Sequence, residues 1–255
     1  MNTRRTRQTA GALLWPLLSC AITAPAGAQH APVTAQVEVT QNKGEVRAAS
    51  AGKLTDASNV VVWLMPADEA GRRAAARLPA RPTPQLVQKN KSFEPHVVVV
   101  QVGSQVEFPN RDPFFHNVFS LFDGKRFDLG LYEAGTTKSL RFDRSGVSFL
   151  FCNIHPEMTA VVVAVESPYY ALSDRSGRVA IPGVPDGRYQ LQVWYERGVA
   201  EDLKSLSRPV VISETARSLG TIQVAPNPDF KLAHKNKYGQ DYVPAPSGSP
   251  AYSRP

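Results

Sequence analysis

The stretch "MTAVVVAVES" (158–167) narrows the fold of this chain more than any other. Val161, Val162, Val163 and Val165 branch at Cβ, which restricts χ1 and suits a pleated sheet better than a helix. An apolar run of this length, closed by Glu166 and Ser167, predicts a buried strand. The same pattern recurs along the chain. "VTAQVEVT" (33–40) alternates, with Val33, Ala35, Val37 and Val39 on one face. "NVVVWLMP" (59–66) carries a strand ending near Met65. "HVVVVQVGSQVEFPN" (96–110) reads as two strands joined around Gly103-Ser104, and "TTKSLRFDRSG" with "VSFLFC" (136–152) as another pair. "RVAIPGV", "RYQLQVWYE", "RPVVIS" and "SLGTIQVA" follow, separated by turns such as "DRSG" and "VPDG". The fold class is therefore all-β.

One segment departs from this pattern. "ADEAGRRAAARLPARP" (67–82) predicts a short helix ending before Pro79. Its Arg72, Arg73 and Arg77 read as a solvated surface, with a docking patch as the alternative. From about residue 227 the chain turns Pro-, Lys- and Ser-rich with little apolar content, so 227–255 is expected to be a flexible tail.

The N-terminus reads as an address. Arg4, Arg5 and Arg7 precede an apolar run, Ala10 to Ile22, and then the small residues Ala26-Gly27-Ala28. That is the pattern of a secretory signal over 1–28, cleaved after Ala28, and it points to the periplasm. Two other readings stay open. "LLSC" would make Cys20 a lipidated N-terminus, and Arg4-Arg5 would belong to a twin-arginine signal. Loss of 1–28 removes three arginines and no acid, lowering the formal charge from +7 to +4. A chain so mildly basic is not expected to bind nucleic acid. No further run is long and apolar enough to span a bilayer.

Cysteine use then raises a chemical question. The two cysteines are Cys20 and Cys152, so the mature chain keeps one thiol in an oxidising compartment. A lone cysteine is often a small buried hydrophobe. This one lies in "FCNIHPEM" (151–158), which spaces Cys152, His155 and Met158 three residues apart. Thiolate and thioether are soft ligands and imidazole is intermediate, so the set selects copper, and two histidines, a cysteine and a weak axial methionine make a blue-copper site. The further histidine comes best from "FPNRDPFFHNVFS" (108–120), where His116 follows the strand "SQVEF". Zinc is the rival metal, but a structural zinc site does not choose methionine. His30, His96 and His234 read as end-of-strand or flexible-end residues. Phe114, Phe115, Phe119, Phe149 and Phe151 read as core aromatics, some of them shielding the metal.

"HNV" together with C-x-x-H-P-x-M resembles the cupredoxins, most of all the amicyanins, and "VVVVQVGSQVEFPN" resembles the strands before the first histidine in plastocyanin-like proteins. The resemblance covers about 85–166. It implies a Greek-key β-sandwich, one mononuclear type 1 copper, electron transfer, and His116, Cys152, His155 and Met158 as ligands. It also implies that Asn117 ties the two ligand loops together, that a backbone N–H bonds the thiolate, and that His155 is the exposed edge by which electrons leave.

A second resemblance follows. The pattern D-x-x-G-x-x-x-I-x-x-V-P-x-G-x-Y-x-L-x-V-W in 166–198 is similar to carboxypeptidase regulatory-like, transthyretin-like β-sandwiches, with Tyr189, Leu191 and Val193 pointing inward. It covers 167–226 and looks like half a module. Residues 33–66 are expected either to supply the missing half, with the cupredoxin inserted between, or to extend the cupredoxin itself.

Two functions stay open. One is a non-enzymatic one-electron carrier that meets redox partner proteins. The other is a cell-envelope protein that holds or delivers copper. A copper oxidase fragment is a weaker third, since the histidine clusters of further copper centres are lacking.

Overall fold

The computed structural model describes residues 30–40, 56–79, 81–121, 124–231 and 234–242. Residues 1–29, which include the expected signal and Cys20, lie outside them. Along the chain run β1 (Val33–Val39), β2 (Val61–Pro66), α1 (Glu69–Ala76), β3 (Val87–Lys89), β4 (Ser92–Glu94) and β5 (Val97–Gln101). Then come β6 (Gln105–Pro109), β7 (His116–Ser120), β8 (Phe127–Tyr132), β9 (Thr137–Arg141), β10 (Gly146–Phe151) and β11 (Thr159–Val165). The chain continues through β12 (Tyr170–Leu172), β13 (Arg178–Ile181), β14 (Gly187–Trp194), α2 (Ala200–Ser205), β15 (Arg208–Ile212) and β16 (Ser218–Val224).

The strands build two layered bodies. In the first, a sheet ordered β13-β1-β16 faces a sheet ordered β12-β2-β14-β15. Strands from 33–66 pair with strands from 170–224: β1 runs antiparallel to β13 and parallel to β16, and β2 lies between β12 and β14. Between the sheets lie Val33, Val37, Val62, Leu64, Ile181, Tyr189, Leu191, Val193 and Ile222, all buried. The alternating pattern of β1 and β14 follows from this, because one face of each strand meets the apolar interior.

In the second body a sheet ordered β5-β11-β10-β7-β8 faces β6 and β9. Its interior holds Val98, Val100, Val106, Phe108, Val118, Leu150, Val162, Cys152 and Met158. Chain neighbours separate here. β5 pairs with β11 whereas β6 pairs with β9, and β10 pairs with β11 and β7. The expected strand pairs at 96–110 and 136–152 exist as strands, but their members cross to opposite sheets.

A third apolar layer joins the bodies. Val97, Val99, Val161, Val163 and Val165 turn away from the second interior and meet Val61, Trp63, Tyr170 and Trp194 of the first body. This explains why β2, β5 and β11 are apolar without alternation: both of their faces are covered. Each such side chain contributes roughly 1.5–3 kcal/mol on burial.

The helix expected in 67–82 is α1. Asp68 caps it by accepting from the Gly71 N–H at 2.7 Å, and Arg72 and Arg73 both reach Glu69 on its exposed face. The short α2 is a structural addition, anchored by the buried Leu203. The tail departs most from expectation. Residues 234–242 are packed against 151–156 through side-chain and backbone hydrogen bonds. Low apolar content weakened the expectation of order there, yet polar contacts and the stacking of His234 on Phe151 hold the segment. Residues 243–255 lie outside the described residues.

Candidate metal centre

Three of the four residues singled out in the sequence converge. His116 opens β7, and Cys152 and His155 lie on the loop between β10 and β11. Their donor atoms all fall within 4.8 Å of one another, and all three residues are buried. Cys152 Sγ is 3.8 Å from His116 Nδ1 and 3.6 Å from His155 Nδ1, and the two Nδ1 atoms are 3.1 Å apart. Imidazole bonds of ~2.0–2.1 Å and a thiolate bond of ~2.3 Å, opened to tetrahedral or trigonal angles, put donors ~3.3–3.8 Å apart. Both sulfur–nitrogen distances lie in that range and the two nitrogens sit slightly closer, so a small opening of the imidazoles makes the three a ligand set for one ion. Met158 is fully buried in the same cluster of side chains as Cys152.

The loop closes on itself. The Cys152 N–H donates to the Met158 carbonyl at 3.3 Å, and the Met158 N–H donates to the His155 carbonyl at 3.1 Å. This brings the two ends of the six-residue spacing together. The backbone N–H groups of Ile154, Asn117 and His155 favour the thiolate form of the sulfur, the effect that the resemblance implies. Burial, the larger influence, still pushes the thiol pKa up. A bound cation would reverse that preference, since metal binding takes the thiolate form.

His116 is set by a chain of hydrogen bonds that sequence reading did not single out. Its Nε2–H donates to Asp112 Oδ2 at 2.7 Å, which leaves Nδ1 with its lone pair toward Cys152 and His155. Asp112 also accepts the backbone N–H of Asn90 at 2.6 Å and of Lys91 at 2.9 Å. Asn90 and Lys91 form the two-residue turn between β3 and β4, with φ of 54° and 53°. Both are left-handed, as this hairpin type requires, and neither is glycine, so the carboxylate offsets part of a steric cost. Asn110 shapes the approach. Its Oδ1 accepts from the Asp112 N–H, and its Nδ2 donates to the Phe114 carbonyl. Burial pushes Asp112 upward, but the bonds from Lys91, His116 and Asn90 outweigh it and hold the carboxyl below the usual range.

The surroundings push both histidines toward their neutral form. Burial lowers His116 despite Asp112. Burial, helped by the neighbouring His116, lowers His155 to about 4. Neutral imidazole is the ligating form. Phe114 lies edge-on to His116 and tilted over His155, with centroids 5.2 and 5.6 Å away.

One implied feature is corrected. His155 is only 3% exposed, so it is not an open edge of the molecule. Phe114 and the loop itself enclose it, whereas Phe115 points outward at 55% exposure. The Asn117 side chain turns to Asp128, its Nδ2 donating to Oδ1 at 2.7 Å, while its backbone N–H acts on the Cys152 sulfur. His96 ends a strand as expected, bonding the Thr159 carbonyl and Glu196. Asp112 was legible only as an acid four residues before His116. His234 and Tyr242, which reach the loop from the tail, gave no local signal at all.

No protein-family model and no curated protein sequence matches the chain. Solved structures do match. A purple cupredoxin from Nitrosopumilus maritimus is similar at 24% identity and a TM-score of 0.30, over 32% of this chain and 98% of that one. An amicyanin from Paracoccus versutus is similar at 19% identity and a TM-score of 0.31, over 40% and 91%. A copper-containing nitrite reductase from Thermus scotoductus SA-01 is similar at 19% identity and a TM-score of 0.32, over 51% and 28%.

Proposed function

We propose that the chain is an exported type 1 copper protein, of cupredoxin type, that carries single electrons between redox partner proteins of the periplasm. The observation that carries this reading is the convergence of Cys152 Sγ with two Nδ1 atoms at single-ion spacing in a buried pocket. Soft sulfur beside imidazole favours copper over harder cations. His116, Cys152 and His155 would hold the ion, with Met158 as the axial ligand. When bound, copper supplies one-electron exchange between its cupric and cuprous states.

The protein's own share is to fix the donors. Asp112 keeps the His116 proton on Nε2, the N–H groups of Asn117, Ile154 and His155 stabilise the thiolate, and Phe114 keeps water from the imidazoles. A site that changes little on electron exchange needs this rigidity. The role is that of a carrier, without a substrate-transforming step. Nucleic acid has no part in it.

We further infer that the copper-bearing sandwich, 85–166, is inserted in a carboxypeptidase regulatory-like, transthyretin-like sandwich made of 33–66 and 167–226. The pairing of β1 with β13 and β16, and of β2 with β12 and β14, supports this. Export rests on the signal pattern in 1–28. No helix among the described residues is long and apolar enough to cross a membrane.

The burial of His155 favours a second reading, a cell-envelope protein that holds or delivers copper. A visible spectrum and EPR after Cu(II) addition test the site, with Cys152→Ser as control. An intense red-orange charge-transfer band with narrow copper hyperfine splitting, both lost in Cys152→Ser, is the expected result. A pale spectrum unchanged by the substitution would sink the copper reading. Fast reversible reduction separates the carrier from the holder.

A further inference from the structure

Loop 152–158 bears most of the ligand set but is thinly held from within. Two backbone bonds close it, from Cys152 to Met158 and from Met158 to His155. Three further polar groups of the loop bond the C-terminal segment. Tyr242 Oη–H donates to the Cys152 carbonyl at 2.8 Å. The Lys237 backbone N–H donates to Asn153 Oδ1 at 3.0 Å. His234 Nε2–H donates to the Pro156 carbonyl at 2.9 Å, and its ring stacks on Phe151, 3.9 Å between centroids. The His234 and Tyr242 rings meet edge to face at 5.3 Å, so the two bonds to the loop brace one another.

The same segment reaches the other ligand-bearing strand. Lys237 Nζ sits 2.7 Å from Asp128 Oδ2, while Asp128 Oδ1 accepts from Asn117 Nδ2, next to His116. Both backbone polar groups of Cys152 are thereby taken: its N–H by Met158 and its carbonyl by Tyr242. A polar chain end pays conformational entropy to be ordered. Here it makes specific bonds to Cys152, Asn153 and Pro156 in addition to the stack of His234 on Phe151.

We infer that residues 234–242 are a clasp on the metal centre, with His234 and Tyr242 as positioning residues that hold loop 152–158 closed. The clasp rests on the copper reading for its purpose, though not for its existence. It keeps the Cys152 sulfur covered before a metal enters and slows the loss of a bound ion. It also covers the outer side of the cysteine loop, so a partner meeting that side touches the clasp and not the loop.

Full-length Tyr242→Phe and His234→Ala proteins test this, with Val211→Ala as a control at an exposed position on β15. Two rates are read: reaction of the metal-free Cys152 thiol with an aromatic disulfide reagent, and loss of copper to a cuprous chelator. Tyr242→Phe should raise each rate roughly 2- to 10-fold, the range given by one lost hydrogen bond. His234→Ala, which also loses the stack, should raise them further, and Val211→Ala should leave them unchanged. If His234→Ala lowers the thermal midpoint, His234→Phe carries the same test, because it fills the space but cannot bond Pro156. Thiol rates within two-fold of wild type in both clasp variants would overturn the clasp. Raised thiol rates with unchanged copper loss would overturn its role at the bound centre. If the wild-type protein takes up no copper, the functional reading fails, and the thiol rates still decide whether 234–242 holds the loop.

Discussion

The interior between the β1 and β2 sheets is made of Val, Leu, Ile, Ala and Tyr side chains, whereas the interior behind β7 and β10 admits Cys152 and Met158, with His116 and His155 buried at one end. Both bodies are layered sheets, and both obey the rule that a strand turns its apolar face inward. They differ in what must be satisfied. The first interior needs volume and shape. The second must also give each buried nitrogen and carboxylate a partner, since an unmade buried hydrogen bond costs more than a made one contributes. For His116 and Asp112 it does so through a chain that runs from His116 to Asp112, to the Asn90-Lys91 turn and to Asn110. One body can therefore be weakened without touching the chemistry, and the other can lose its chemistry without losing its fold.

The strongest way to break that contrast is Leu191→Ala in the first interior. Leu191 is fully buried, and the substitution should cost about 2–5 kcal/mol of stability. Chemical denaturation should register the loss while the visible spectrum of the copper-loaded protein keeps its shape. A spectrum altered at 20 °C would mean that the two bodies are not chemically separable.

Asp112→Ala makes the complementary change. It leaves the apolar cores alone but frees His116 Nε2 and the two turn amides. Metal affinity should fall roughly 10- to 100-fold, as measured by chelator competition. An unchanged affinity would show that the loop geometry alone sets the tautomer of His116.

The smallest effect is expected where the bodies meet. His96 Nε2 lies 2.7 Å from Glu196 Oε2, across the junction. The hydrogen bond to Glu196 raises the His96 pKa above 6.5, with burial opposing it. A histidine raised on folding adds stability that is fully present below its unfolded pKa and is lost as pH climbs through the folded one. The thermal midpoint should therefore drop slightly as pH rises from about 6.5 upward. Glu196→Gln should flatten that slope. A slope that persists in the variant would assign it to another group.

The strands and their turns were legible because β-branching, alternation and punctuation are local properties. Val161 to Val165 announce a buried strand whatever packs on them. The candidate ligands of the loop were legible for the same reason, since steps of three residues from Cys152 to His155 and to Met158 place them on one short loop. His116 needed a guess about which distant strand end returns to that turn, and the order β11-β10-β7 answers it.

Sequence alone determined the all-β class, a short helix within 67–82 and the soft character of the donor set, because side-chain shape and ligand chemistry travel with the residue. Tertiary structure decided the rest. It set which strands pair across more than a hundred residues, why β2, β5 and β11 are apolar on both faces, and that Asp112 holds His116. It also buried His155 and laid Tyr242 on the Cys152 carbonyl. Each of these depends on groups far apart in the chain meeting at hydrogen-bond or van der Waals distance, and no local pattern encodes such a meeting.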